Sequence, residues 1–176
     1  MAERVRLIDF QRALSERIAR AVTVTSASSR LGVNAGGRHW LLRLDEIAEV
    51  NFVPQIDTIP LVRPWFRGIA NLRGRMVGMV DMSDFLGNGA TESSPGNRVV
   101  VLADRFGFGA GLIVSHVLGL RDTAAMQPAA SSDADSAFVA GRYTDGEDRQ
   151  WREIDLARLV TAPEFLQVEA AAVAHA

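Results

Sequence analysis

Apolar positions recur at two different spacings along this chain, and the switch between them divides it. Leu7, Phe10, Leu14, Ile18 and Val22 fall three or four residues apart, which is one stripe of a helix. Arg12, Glu16 and Arg20 lie on another side, with Glu16 one turn ahead of Arg20. Such a stripe packs either on its own domain, the simpler reading, or on a partner. Thr23 to Ser29 then breaks the period with small polar residues and reads as a linker.

From Leu31 the period falls to two. Leu31 and Val33 lead into Asn34–Gly37, whose residues tolerate tight turns, and Trp40, Leu42 and Leu44 form the returning arm of a hairpin. Ile47 and Glu49 share one face of the next extended run, and Ala48 and Val50 share the other. Pro54, Pro60 and Pro64 punctuate an irregular passage up to Trp65. Met76, Val80 and Met82 then point one way and Val77 and Met79 the other, so this strand is covered on both sides or bends within a barrel. Asp81 or Ser83 caps a short helical turn that Gly87 stops. A polar connection, Gly87–Asn97, precedes a hairpin turning near Asp104–Gly107. A second polar loop, Gln127–Ser136, precedes another hairpin around Asp145 and Gly146. A brief helix follows at residues 155–160, and the last residues read as a tail that frays. Many short strands with few helices predict an antiparallel, mainly β fold rather than alternating β and α.

Composition narrows the chemistry. Of 176 residues, 48% are apolar, enough for a sizeable core. The net charge of −2 offers no basic surplus for nucleic acid or anionic lipid. The absence of cysteine removes disulfides, thiol catalysis and thiolate metal sites. No run approaches the ~20 apolar residues of a membrane span, and the first residues do not resemble a signal peptide, so the expectation is a cytoplasmic protein. The three histidines, His39, His116 and His175, lack metal-ligand spacing, and His116 reads as a partly buried histidine with a backbone partner. No nucleophile elbow, phosphate loop or zinc-protease motif occurs. Gly107–Gly111 superficially suggests a phosphate loop, but it leads into a β-type run instead of opening a helix. The expectation is therefore a non-catalytic chain with no cofactor and no metal, acting through its surfaces.

The segment Ile69–Gly87, IANLRGRMVGMVDMSDFLG, carries the most specific pattern. With Gly68, Asn71, Leu72, Arg73, Gly74, Asp81 and Leu86–Gly87 in order, it resembles the signature of CheW-like domains, the coupling proteins of bacterial chemosensory arrays. The likeness runs from about Ser29 to Val160. It departs where Gly78 stands in place of a usual proline, Met82 in place of a leucine, and Ser115–His116 in place of aspartate–glycine. The resemblance implies two small five-stranded β-barrels packed together, preceded by the N-terminal helix. The domain layout would be 1–28 helix and linker, 29–165 CheW-like domain and 166–176 tail.

It further implies an adaptor between the cytoplasmic tip of a methyl-accepting chemoreceptor and the regulatory domain of a CheA-type histidine kinase, tied to membranes only through the receptor. The N-terminal helix, PLVRPWFRGIANLRGR and a late PEF look most like the adaptor of the type IV pilus, twitching-motility system; a flagellar array is the alternative. By the same resemblance, Ile47, Gly68, Val114 and Val117 line a receptor groove, with core packing a nearly even alternative for the three hydrophobics. Arg73 is either a solvated turn residue or, as the family implies, the partner of Glu49. Asn71 and Gly74 complete that surface, and Leu72, Asp81 and Gly87 are structural. Two readings from other classes remain at this point: a small ligand-binding barrel using His116, Asp81 and Arg73, and an oligonucleotide-binding barrel, which the charge disfavours.

Overall fold

The computed structural model describes residues 28–130 and 137–170. The helical stripe expected within residues 1–27 lies outside these described residues.

Eleven strands make two sheets. β1 (Ser29–Ala35), β2 (Arg38–Arg43), β8 (His116–Asp122), β9 (Gln127–Ala129), β10 (Val139–Thr144) and β11 (Gln150–Ile154) form the first, in the order β8-β1-β2-β11-β10-β9. β3 (Ile47–Phe52), β4 (Phe66–Leu72), β5 (Arg75–Asp81), β6 (Arg98–Leu102) and β7 (Ala110–Val114) form the second, in the order β3-β6-β7-β5-β4. Pairing is antiparallel except for β2 with β11 and β5 with β7. Among the described residues there are also three short α-helices, α1 (Met82–Phe85), α2 (Leu156–Thr161) and α3 (Pro163–Leu166), and three 3-10 turns at Leu44–Glu46, Asp104–Phe106 and Thr123–Ala125.

The mainly β fold in two halves is as the sequence predicts, but the count and closure differ. One sheet has six strands instead of five, and neither ladder closes into a ring. In the five-stranded sheet the free edges are β3 and β4. The proline-marked passage that follows β3 reaches β4 through a single bridge, Asp57 to Ile69, because prolines cannot donate to a longer ladder.

Alternation assigns the faces. Val77, Met79, Val99, Val101, Ile113 and Ala70 are buried together inside the curl of the five-stranded sheet. Val80, Met82, Val100, Leu102 and Leu112 point the opposite way, into a core shared with Leu31, Val33, Trp40, Leu42 and Ile154 of the other sheet. Both faces of β5 are thus covered. At roughly 1.5–3 kcal/mol for each large side chain fully buried, this shared core is what holds the halves together. Trp65, Phe85 and Phe165 extend it, with Trp65 and Phe165 stacked at 6.2 Å. Residues 166–170, read from the sequence as tail, are bonded across to residues 61–63: Arg63 N donates to the Val168 carbonyl and Ala170 N to that of Leu61, each near 2.9 Å.

Asp81 is the cap that the helical turn requires. Buried, it accepts from the amides of Ser83 and Asp84 and from both the amide and hydroxyl of Thr91. Gly87, at φ 72°, follows the last turn in the left-handed conformation that stops a helix.

Candidate functional site

The segment Gly68–Arg75 ends one strand, turns, and opens the next. β4 and β5 meet at Leu72–Arg75, with positive φ at both Arg73 (53°) and Gly74 (82°), the type I′ geometry of a two-residue hairpin. Glycine adopts this backbone freely, whereas arginine in it costs about 1–2 kcal/mol. Asn71 offsets part of that cost by accepting the Gly74 amide on Oδ1 at 2.8 Å. Leu72 is half-buried against the inner cluster of the sheet. At the strand's other end Gly68 has φ 127°, and a Cβ there would lie 2.1 Å from the Asp57 carbonyl oxygen. What crowds Gly68 is thus this chain's own bridge onto β4.

Strained as it is, Arg73 projects toward β3: its Nη1 lies 3.3 Å from Glu49 Oε2. β3 and the β4–β5 tip belong to opposite edges of the sheet, so the pair spans the gap that the ladder leaves open. With the side chains 78% and 28% exposed, it contributes little to stability and mainly shapes a surface. The same end carries further ion pairs, Arg75 with Asp104 and Arg105 with Asp45 and Glu46. Glu46 is the buried member. Burial pushes its carboxyl above the ordinary glutamate value, against the pull of Arg43 and Arg105, and its Oε2 has no hydrogen-bond partner.

A second feature adjoins this tip. Ala48, Val50 and Phe52 alternate outward along β3, and Val50 stands opposite Val100, a member of the shared core. On β8, Val117 and Leu120 stand opposite Val33 and Leu31, also core members. These residues therefore face the side on which the two sheets pack, yet Val50 is 39%, Phe52 72% and Leu120 65% exposed. β3 and β8 are both edge strands, so the shared core ends before it covers them. An uncovered apolar face remains, with Arg98 stacked over the Phe52 ring at 4.1 Å.

The expected groove residues sort as follows. Ile47 and Val117 are half-buried at the margin of the shared core. Val114 is corrected: it is wholly buried, a core residue, because β7 is an inner strand with sheet on both sides. His116 is also corrected, being exposed at the start of β8, where its ring lies against Gly96. Val50, Phe52 and Leu120 were missed. The alternation of Ala48 and Val50 pointed to the first two; nothing in the sequence marks β8 as an edge.

The cavities are modest. An apolar pocket of ≈ 160 Å³, between Phe66, Val80, Phe108, Phe165 and Leu166, is of side-chain size rather than the several hundred Å³ usual for metabolite sites. Among the described residues no group of three histidine, cysteine or acidic side chains is placed to hold a metal ion, and no helix is long and apolar enough to cross a membrane.

Residues 30–164 match the CheW-like domain, and the chain belongs to that family. A crystal structure of the scaffolding protein TtCheW from Thermoanaerobacter tengcongensis is similar, with a TM-score of 0.65 and 25% identity over 78% of this chain and 94% of that one. Protein PilI of Pseudomonas aeruginosa is 37% identical over 95 residues. That stretch is 53% of this chain and 52% of PilI, so the chain spans about half the length of the curated relative it matches.

Proposed function

We propose that this chain is a non-catalytic, cytoplasmic adaptor that couples the cytoplasmic tip of a methyl-accepting chemoreceptor to the regulatory domain of a CheA-type histidine kinase. The likeness to PilI supports assigning it to the system that drives type IV pilus twitching motility. The observation that carries the reading is the apolar surface left uncovered on the edge strands β3 and β8, with the Arg73–Glu49 pair beside the first. A receptor tip is a helical hairpin, and an apolar groove with a charged rim accepts a helix by its ridge. Ile47, Val50, Phe52, Val117 and Leu120 supply the contact; Arg73 and Glu49 fix its angle. The kinase domain, of the same fold, meets another surface, and multiple weak contacts in an array add avidity. The adaptor makes and breaks no bonds.

Titration calorimetry with a soluble receptor-tip fragment tests the proposal. Val50→Glu is expected to weaken binding tenfold or more, and Arg73→Glu to weaken it severalfold, with circular dichroism unchanged in both. Wild-type affinity in both variants would refute the assignment of this face.

A further inference from the structure

Leu61 is 85% exposed, more than any other large apolar residue described, and its backbone sits in the left-handed region at φ 60°. It takes the third position of a turn that Pro60 opens, where glycine or asparagine is usual because a larger side chain crowds the backbone. Two costs thus coincide on one residue, a strained backbone and an apolar side chain left in water. Hydrogen bonds hold it there: Ala170 N donates to the Leu61 carbonyl at 2.9 Å, and Arg63 N donates to the Val168 carbonyl at 2.8 Å. Strain that the surroundings enforce in this way clusters at points of contact with ligands and partners.

The same short ladder sets Leu61 beside a hole of matching size. Val168, which accepts from Arg63, and Leu166 line one side of the apolar pocket of ≈ 160 Å³, and Phe66, Phe108 and Phe165 line others. An apolar cavity of about 150 Å³ takes a benzene-sized group, so this one has room for a leucine side chain. Leu61 of the same chain, being almost wholly exposed, does not fill it. Leu166 and Phe108 are themselves partly exposed, which carries the apolar lining out onto the surface.

Charge completes the match. Three exposed ionic residues border the knob and the hole: Arg63 follows Leu61 by two positions, Glu169 is bridged to Val62, and Glu164 precedes Phe165 in α3. Among the described residues none of the three is in an ion pair. A patch that carries a knob next to its hole, with charges of both signs, is complementary to a copy of itself across a two-fold axis. We propose that two copies of this chain pair in this way, Leu61 of each entering the apolar pocket of the other, with Arg63 of each facing Glu164 and Glu169. The contact uses none of the residues assigned to the receptor and does not depend on that assignment. Its area is small, so the pairing is weak and reversible.

Sedimentation velocity of the full chain, from about 5 to about 500 μM, is expected to show a monomer–dimer equilibrium. Leu61→Asn removes the knob and suits the left-handed backbone, so it should weaken pairing about tenfold or more while the melting temperature of the monomer holds or rises. Arg63→Glu should weaken pairing severalfold, and adding Glu164→Arg with Glu169→Arg to the same chain should restore it. In a mixture of labelled and unlabelled chains, NMR should show contacts between the Leu61 methyls of one copy and the Phe108 and Phe165 rings of the other. A chain that stays monomeric throughout the range overturns the proposal, as does a Leu61→Asn variant that pairs like wild type. Contacts from the Leu61 methyls to other residues of the second copy overturn the assignment of the pocket. Species that keep growing beyond the dimer overturn the two-fold arrangement, because knob and hole are then joined head to tail.

Discussion

The two sheets bury their private faces in opposite ways. Inside the five-stranded sheet the filling is aliphatic: Ala70, Val77, Met79, Val99, Val101 and Ile113. In the six-stranded sheet, the face turned from the shared core carries a buried ion pair, Arg30 Nε to Glu153 Oε1 at 2.6 Å. The Tyr143 hydroxyl donates to the other oxygen of Glu153 at 3.0 Å. Beside them Trp151 lies under the Arg121 guanidinium and within 4.9 Å of the His39 ring. Gly32 is small because a Cβ there would come within 2.9 Å of the Trp151 ring. Aliphatic filling rewards volume and tolerates exchange of shape. An ion pair rewards register: Arg30 on β1 and Glu153 on β11 meet only if β2 sits correctly between them.

The comparison breaks most readily at Glu153. Glu153→Ala leaves a buried guanidinium without its carboxylate, and chemical denaturation should show a loss of about 3–5 kcal/mol. Replacing both partners, Arg30→Met with Glu153→Leu, is expected to return most of it. If the double variant is as weak as the single one, the pair supplies net stability rather than register. Met79→Ala comes next, at about 2–4 kcal/mol, whereas Met79→Leu should cost less than about 1.5 kcal/mol.

Glu46 sharpens the contrast, as a buried carboxylate whose second oxygen is unpaired, unlike that of Glu153. Its raised folded-state value means that its contribution is favourable below the ordinary glutamate range and is lost as pH rises through the folded value. Glu46→Gln should therefore stabilise the protein by about 1 kcal/mol at pH 7 and give no gain below pH 4, checked by thermal melts at both values. The smallest effect is at the hairpin tip: Arg73→Ala should change stability by less than about 1 kcal/mol, because the pair with Glu49 is exposed.

Local features were the legible ones. Alternation gave the hairpins, and the residues at the end of β5 narrowed the cap to Asp81 or Ser83, of which the structure uses Asp81. Phe66–Leu72 carries no strict alternation that marks it as a strand, and the bridge that crowds Gly68 comes from the distant Asp57. The Arg30–Glu153 contact joins residues 123 positions apart, and no local pattern announces it. Among the candidate groove residues, Val114 and Val117 carry the same letter, yet one is core and the other margin. Only the position of their strands, inner or edge, separates them.

The chain's itinerary has a consequence for its own synthesis. β1 and β2 emerge first, but β8 and β11, which flank them, come after all of β3–β7. On a ribosome, the five-stranded half is complete once Val114 has cleared the exit tunnel. The first hairpin waits with its β1 margin unpaired until Asp122 follows and with its β2 margin unpaired until Ile154 does, an interval in which such ribbons are open to wrong partners.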